Sequence, residues 1–134
     1  MRKGGLMTYW VIPANPTMYD VREAFRDLRI VYWKQGRNKS VKIGDIIFIY
    51  ESVTSKSIIL KTRVVDKDVY NNYIDDSKYT MGNATFNPPW MKLELIDELA
   101  QPITMNQLRE NGVKGSYQSM RRLKEDIVFN LNLD

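Results

Sequence analysis

The sequence predicts a mixed α+β domain built on a curved sheet, and three observations carry that prediction. Short β-prone runs at residues 9 to 12, 30 to 33 and 46 to 50 are interleaved with a segment of helical period. The run Ile46-Ile47-Phe48-Ile49-Tyr50 is almost wholly apolar, so a strand there needs cover on both faces. A length of 134 residues with 43% hydrophobic and 27% charged content suits one domain with its own core.

Taken in order, residues 1 to 7 read as a flexible leader around Gly4-Gly5, and a single domain is expected over residues 8 to 134. Tyr9-Trp10-Val11-Ile12, closed by Pro13, is a buried strand, and Asn15-Pro16 marks a turn. From Tyr19 onward Val21, Phe25 and Leu28 recur at helical spacing, with Arg22, Glu23, Arg26 and Asp27 on the opposite side. Ile30-Val31-Tyr32-Trp33 is a second strand, followed by an exposed basic loop over residues 34 to 42 and a turn at Gly44-Asp45. The apolar strand at 46 to 50 and an alternating one at 58 to 65 form a hairpin across a Ser/Thr-rich connection.

Residues 66 to 87 are polar, tyrosine-rich and without period, which predicts a long loop. Residues 90 to 99 alternate as another strand. A helix then starts with Thr104 as cap, Gln107 reaching back and Ile103 stapled onto Leu108, and Asn111-Gly112 stops it. Met120, Leu123, Ile127 and Leu131 predict a closing amphipathic helix with Ser119 as its cap.

Charge and composition narrow the function. Residues 1 to 65 hold twelve Lys/Arg against five Asp/Glu, a balance of +7, whereas residues 66 to 134 hold eight against eleven, a balance of −3. Lys34, Arg37, Lys39 and Lys42 crowd one segment, where they are candidate phosphate contacts, although a solvated polar loop has the same composition. The absence of cysteine and histidine removes thiolate nucleophiles and the commonest general base and metal ligand. Asp66, Asp68, Asp75 and Asp76 match no calcium-loop spacing and read as a solvated acidic loop. The expectation is therefore a protein that is not an enzyme, with no catalytic residue, no metal and no cofactor. No run approaches the roughly 20 apolar residues of a membrane span, and the reading is of a cytoplasmic protein.

The string Tyr9-Trp10-Val11-Ile12-Pro13-Ala14-Asn15-Pro16, the pair Tyr32-Trp33 and the segment Val41-Lys42-Ile43-Gly44-Asp45-Ile46-Ile47-Phe48-Ile49-Tyr50 resemble the EVE domain of the PUA-like superfamily. Trp90-Met91-Lys92-Leu93 through Gln107-Leu108 is similar to the last strand and closing helix of YTH domains, a related PUA-like family. The resemblance implies a small, partly open mixed β-barrel flanked by helices, with a pocket for a base flipped out of a strand or duplex. EVE domains are associated with modified cytosine and YTH domains with methylated adenine in RNA, so methylated or hydroxymethylated cytosine is the expected ligand ahead of methylated adenine.

On the same resemblance Trp33 is one wall of an aromatic cage, Asn15 a polar reader of the base and Gln35 a second contact. The opposite wall falls to the loop before the last strand, which offers Tyr79, Phe86 and Trp90. Tyr50 and Ser52, at the end of the apolar strand, are placed at the pocket rim. Read without the resemblance, Trp33 fits a core and Asn15 before Pro16 fits a turn equally well. The alternative function is a PUA-like RNA-binding accessory domain without modified-base selectivity. The expected partners are modified DNA or RNA and a separately encoded nuclease or methyl-dependent restriction component, with no membrane.

Overall fold

A computed structural model describes residues 7–81 and 87–134. The first six residues of the expected leader, and Phe86, lie outside the described residues. Among the described residues six strands and three α-helices follow the order β1 (Tyr9–Ala14), α1 (Val21–Leu28), β2 (Ile30–Lys34), β3 (Ile46–Glu51), β4 (Ser57–Val69), β5 (Trp90–Thr104), α2 (Met105–Glu110), β6 (Arg121–Arg122) and α3 (Glu125–Asn130). They form one sheet of order β2-β5-β4-β3-β1-β6, mixed because β1 runs parallel to β3 while the other pairs are antiparallel. Register shifts along β4 and β5 bend the sheet toward a barrel, yet its two edges, β2 and β6, do not pair. The result is the partly open α+β architecture the sequence predicts.

Strand alternation divides the interior in two. Trp10, Ile12, Ala14, Ile47 and Ile49 point to one side, into a core with Val21, Ala24 and Phe25 of α1 and with Trp33. Tyr9, Val11, Ile46, Phe48 and Tyr50 point to the other, against Leu108 of α2 and Ile127 and Val128 of α3. The apolar strand at 46 to 50 is thus covered on both faces, as its composition requires. Asp20 caps α1 by accepting from the Glu23 N–H. Thr104 and Gln107 close a capping box on α2, and Ile103 and Leu108 share one core, completing the expected staple.

Two expectations need correction. β4 runs on to Val69, and Ser77–Tyr79 forms a short 3-10 turn, so the expected loop from residue 66 is partly structured. Residues 119 to 123 are not helical. Arg121 and Arg122 pair with Val11 and Trp10 on the open edge of β1, and α3 begins only at Glu125. Hydrogen bonds available at a sheet edge override a weak helical period there. No helix among the described residues is long and apolar enough to cross a membrane.

The turn into β3 holds the charged centre of the fold. Gly44 adopts φ +97, a left-handed conformation suited to glycine, and donates its N–H to the Val64 carbonyl at 2.8 Å. Asp45, 0% exposed, then accepts from Thr8 N, Trp10 Nε1 and Lys42 N, each at 2.9 Å. Asp45→Ala strands these three N–H groups, and the expected loss is about 3 kcal/mol in urea unfolding. Asp45→Asn, which keeps one acceptor oxygen, should lose roughly half as much. Wild-type midpoints for both would contradict this assignment.

On α1, Arg22 bonds Glu51 (Nε to Oε2, 3.1 Å), and Arg26 bonds Glu98 (Nε to Oε1, 2.9 Å). Burial raises the Glu51 carboxyl, but Arg22 and the Ser55 hydroxyl outweigh it and hold Glu51 below the usual range. A carboxyl depressed by folding stabilises above its unfolded pKa and loses that contribution as pH falls through the folded value. Glu51→Gln should therefore melt below the wild type at pH 7, and the gap should close as the wild type is taken below about pH 4. Thermal melts at the two pH values decide the point.

Candidate nucleic-acid interface

The sheet is open between β2 and the end of β1, and a cleft fills the opening. Its central cavity, about 370 Å³, is lined by Pro13, Ala14 and Asn15 at the end of β1, Met18 and Tyr19 before α1, and Trp33 of β2. Ser52 after β3, and Tyr117 and Gln118 before β6, complete the lining. A second cavity of about 440 Å³ shares Pro13, Trp33 and Gln118 with it and adds Lys34, Gln35 and Arg37. A third, about 680 Å³, shares Ser52, Tyr117 and Gln118 and adds Tyr50, Lys56 and Arg109. The volumes fall within the range of roughly 300–1,000 Å³ usual for ligand sites.

Local chemistry fixes the central walls. Asn15 makes an Asx turn, its Oδ1 accepting from Thr17 N at 3.0 Å and Thr17 Oγ1 at 2.7 Å, while its carbonyl accepts from the Met18 and Tyr19 N–H groups. The two expected roles of Asn15 are compatible, because its Nδ2 makes no hydrogen bond among the described residues. Trp33, only 5% exposed, meets Tyr19 edge-on at 5.4 Å and 84°. Burial, reinforced by a 2.7 Å hydrogen bond to Asp76, pushes the Tyr19 phenol far above its usual range. Burial likewise raises the Tyr50 and Tyr117 phenols, whose rings lie 5.3 Å apart. All three phenols are neutral at physiological pH. Ser52 is tied to the end of β1, its N–H donating to the Ala14 carbonyl at 2.9 Å.

The predicted site residues divide accordingly. Asn15, Trp33 and Ser52 converge on the central cavity, with Tyr50 in the third and Gln35 in the second. Gln35 differs from a free reader of base edges. It is 4% exposed, its Nε2 donates to Asn38 O and Asp68 Oδ1, and its Oε1 accepts from Asp68 N, so its amide clamps the basic segment to β4. Trp90 lies opposite Lys34 in register, one residue from the Trp33 and Met91 pair, and packs against Tyr32 at 6.4 Å. That is the other face of the sheet, so Trp90 does not line the cavity. Tyr79 is buried against α1, its hydroxyl bonding Asp27 at 2.6 Å.

Of the four predicted phosphate contacts, Lys34 and Arg37 line the second cavity, while Lys39 and Lys42 are exposed on the same segment. The acidic residues are individually engaged: Asp68 with Gln35, Asp75 with Ser77 and Asp76 with Tyr19. Among the described residues no group of three or more carboxylates could hold a metal ion. Sequence reasoning missed Tyr19, Tyr117 and Gln118. The four-residue span of the Asn15 turn is a signal for Tyr19, whereas only the pairing of β6 with β1 brings Tyr117 and Gln118 to the cleft.

Comparison with known proteins agrees with this geometry. No curated protein matches the sequence. Protein Atu2648 from Agrobacterium tumefaciens has a similar fold, with TM-score 0.64 at 16% identity over 92% of this chain and 90% of its own. The ASCH protein from Zymomonas mobilis gives 0.59 at 17% over 94% of each chain, and a hypothetical protein from Leishmania major 0.63 at 15% over 95% and 94%. These identities speak for the fold alone. The EVE domain model matches residues 8–129, nearly the whole chain, and so the protein belongs to the EVE domain family, with the nucleic-acid-binding fold of the PUA-like superfamily.

Proposed function

We propose that this EVE domain reads a modified base, methylated or hydroxymethylated cytosine ahead of methylated adenine, flipped into the central cavity, and performs no chemistry on it. The observation that carries the reading is the convergence of Trp33, Tyr19 and Tyr117 with the unspent Nδ2 donor of Asn15 on one cavity. Base recognition needs a flat apolar surface, a polar group for the base edge and room for the added group. Stacking a base on an aromatic is worth about 1–3 kcal/mol, and unstacking it from its neighbours takes a few kcal/mol. More than one aromatic contact is therefore needed, and the cavity offers three. Walls already held by packing lose little freedom on binding, which favours affinity. Output from such a reader falls to a partner, for which a separately encoded nuclease or methyl-dependent restriction component is the expected class.

Titration of labelled oligonucleotides carrying plain and modified cytosine or adenine tests the reading. Wild-type protein should prefer the modified cytosine by about tenfold or more, the scale of one or two base contacts. Asn15→Asp preserves the acceptor of the turn but replaces the amide donor with a carboxylate. It should melt like the wild type and lose most of the preference. Trp33→Ala should abolish it. Equal binding of all probes with steep salt dependence would replace the proposal with an RNA-binding domain lacking base selectivity. Recovery of shortened or altered oligonucleotide after incubation with magnesium would refute the claim that no chemistry occurs.

A further inference from the structure

The third cavity has a composition that the base-reading site does not require. It holds Lys56 from the turn before β4 and Arg109 from α2, with Asn106 and Ser116 beside them. All four are exposed, and neither cation forms an ion pair among the described residues. The Arg109 guanidinium is oriented by the Gly115 carbonyl, which accepts from Nη2 at 3.2 Å and from Nε at 3.4 Å, and its Nη1 has no protein partner among the described residues. Across the central cavity, Lys34 and Arg37 stand in the second cavity in the same uncompensated state. The chain has 16 Asp and Glu residues, yet none lines any of the three cavities. The central cavity shares Pro13 and Trp33 with the second and Ser52 and Tyr117 with the third, and Gln118 borders all three, so the aromatic cavity adjoins both cationic pairs.

We infer that Lys56 and Arg109 are a second phosphate-binding arm, opposite Lys34 and Arg37, so that the ligand is a polynucleotide strand continuing on both sides of the extruded base. The inference rests on the base-reading assignment of the central cavity. A free nucleoside would leave both cationic ends unused, and a terminal nucleotide would leave one. Arginine suits such a contact because its planar fork can engage two phosphate oxygens at once.

The test uses single-stranded oligonucleotides with the modified cytosine at the centre, at the 5′ end or at the 3′ end, titrated at several salt concentrations. The double variant Lys56→Gln/Arg109→Gln should bind the central probe about tenfold more weakly at moderate salt. The slope of log affinity against log salt should fall by about 1.4, near 0.7 for each lost phosphate contact. One terminal probe should share this loss and the other should be indifferent to the double variant, which also gives the polarity of the strand. Because Arg109 touches the 115 turn, thermal melting and the single variant Lys56→Gln, with about half the change in slope, separate lost contacts from lost structure. Wild-type affinity and slope for the double variant on the central probe would overturn the second arm. The ratio of modified to plain binding reports separately on base reading: a ratio of one in the wild type defeats that reading, while the change in slope still decides the arm.

Discussion

The Asp45 carboxylate, wholly buried, is the interaction on which the rest of the molecule depends. Its three N–H partners come from the entry to β1, the indole of Trp10 and the end of the basic segment, and so join the first strand to the turn into β3. The backbone of Asp45 extends the same node, its N–H donating to Lys42 O and its carbonyl accepting from Val64 N. A buried charge is tolerated only when its hydrogen bonds are made, so the node favours one arrangement of these segments. That arrangement sets Tyr9 opposite Ile46 and runs the parallel register through to Ala14 opposite Glu51. Asn15 therefore emerges at the mouth of the cleft, and its turn delivers Tyr19 edge-on to Trp33.

The basic segment is fixed by the same logic. Val41 is fully buried, Asn38 accepts from the Ser40 and Val41 N–H groups, and Lys67 Nζ reaches the Val41 carbonyl at 2.6 Å. With the Gln35 clamp to Asp68 at the other end, Lys34 and Arg37 sit on an ordered platform. In the proposed role as phosphate contacts, they would set register and orientation and carry no sequence information. The polar residues between the lysines are occupied in holding them in place, which is why an amide so near the cavity is unavailable to a ligand.

That example marks the limit of what the sequence disclosed. Elements with a strong local signature were legible: the two-sided β3, the β3–β4 hairpin, and the capping box at Thr104 and Gln107. Motifs confined to the first 50 residues also singled out Trp33 and Asn15, which the fold brings to one cavity. What was not legible depends on contacts remote in sequence. A two-residue strand such as β6 has no period to detect, yet it decides that Tyr117 and Gln118 close the cavity. The face on which Trp90 lies is set by its register with β2, and a one-residue offset from Met91 carries it away from Trp33. Gln35 could not be recognised as a clamp because its partner, Asp68, sits 33 residues away at positive φ in an irregular stretch of β4.

If the proposed reading holds, the distribution of chemistry along the cleft separates affinity from selectivity. On that reading the four cations flanking the central cavity act on any polynucleotide, and their contribution is erased by salt. The central cavity is lined by no charged side chain: neutral phenols, an indole, two amides and the Ser52 hydroxyl stand beside Pro13, Ala14 and Met18, and contacts made there persist when salt screens the rest. Burying one added methyl group is worth about 0.8 kcal/mol, roughly a fourfold preference. A larger preference needs a polar contact that the unmodified base cannot satisfy, since a site built to hydrogen-bond a group rejects the analogue lacking it far more strongly than a merely apolar one does. Asn15 Nδ2 is an unspent donor in this cavity, beside the Tyr117 hydroxyl and the Gln118 amide, and it is held in place by the turn that its own Oδ1 maintains. A hydroxymethyl group offers that donor an acceptor and a methyl group does not, so on the proposed reading the Asn15 amide is a group that could tell the two apart.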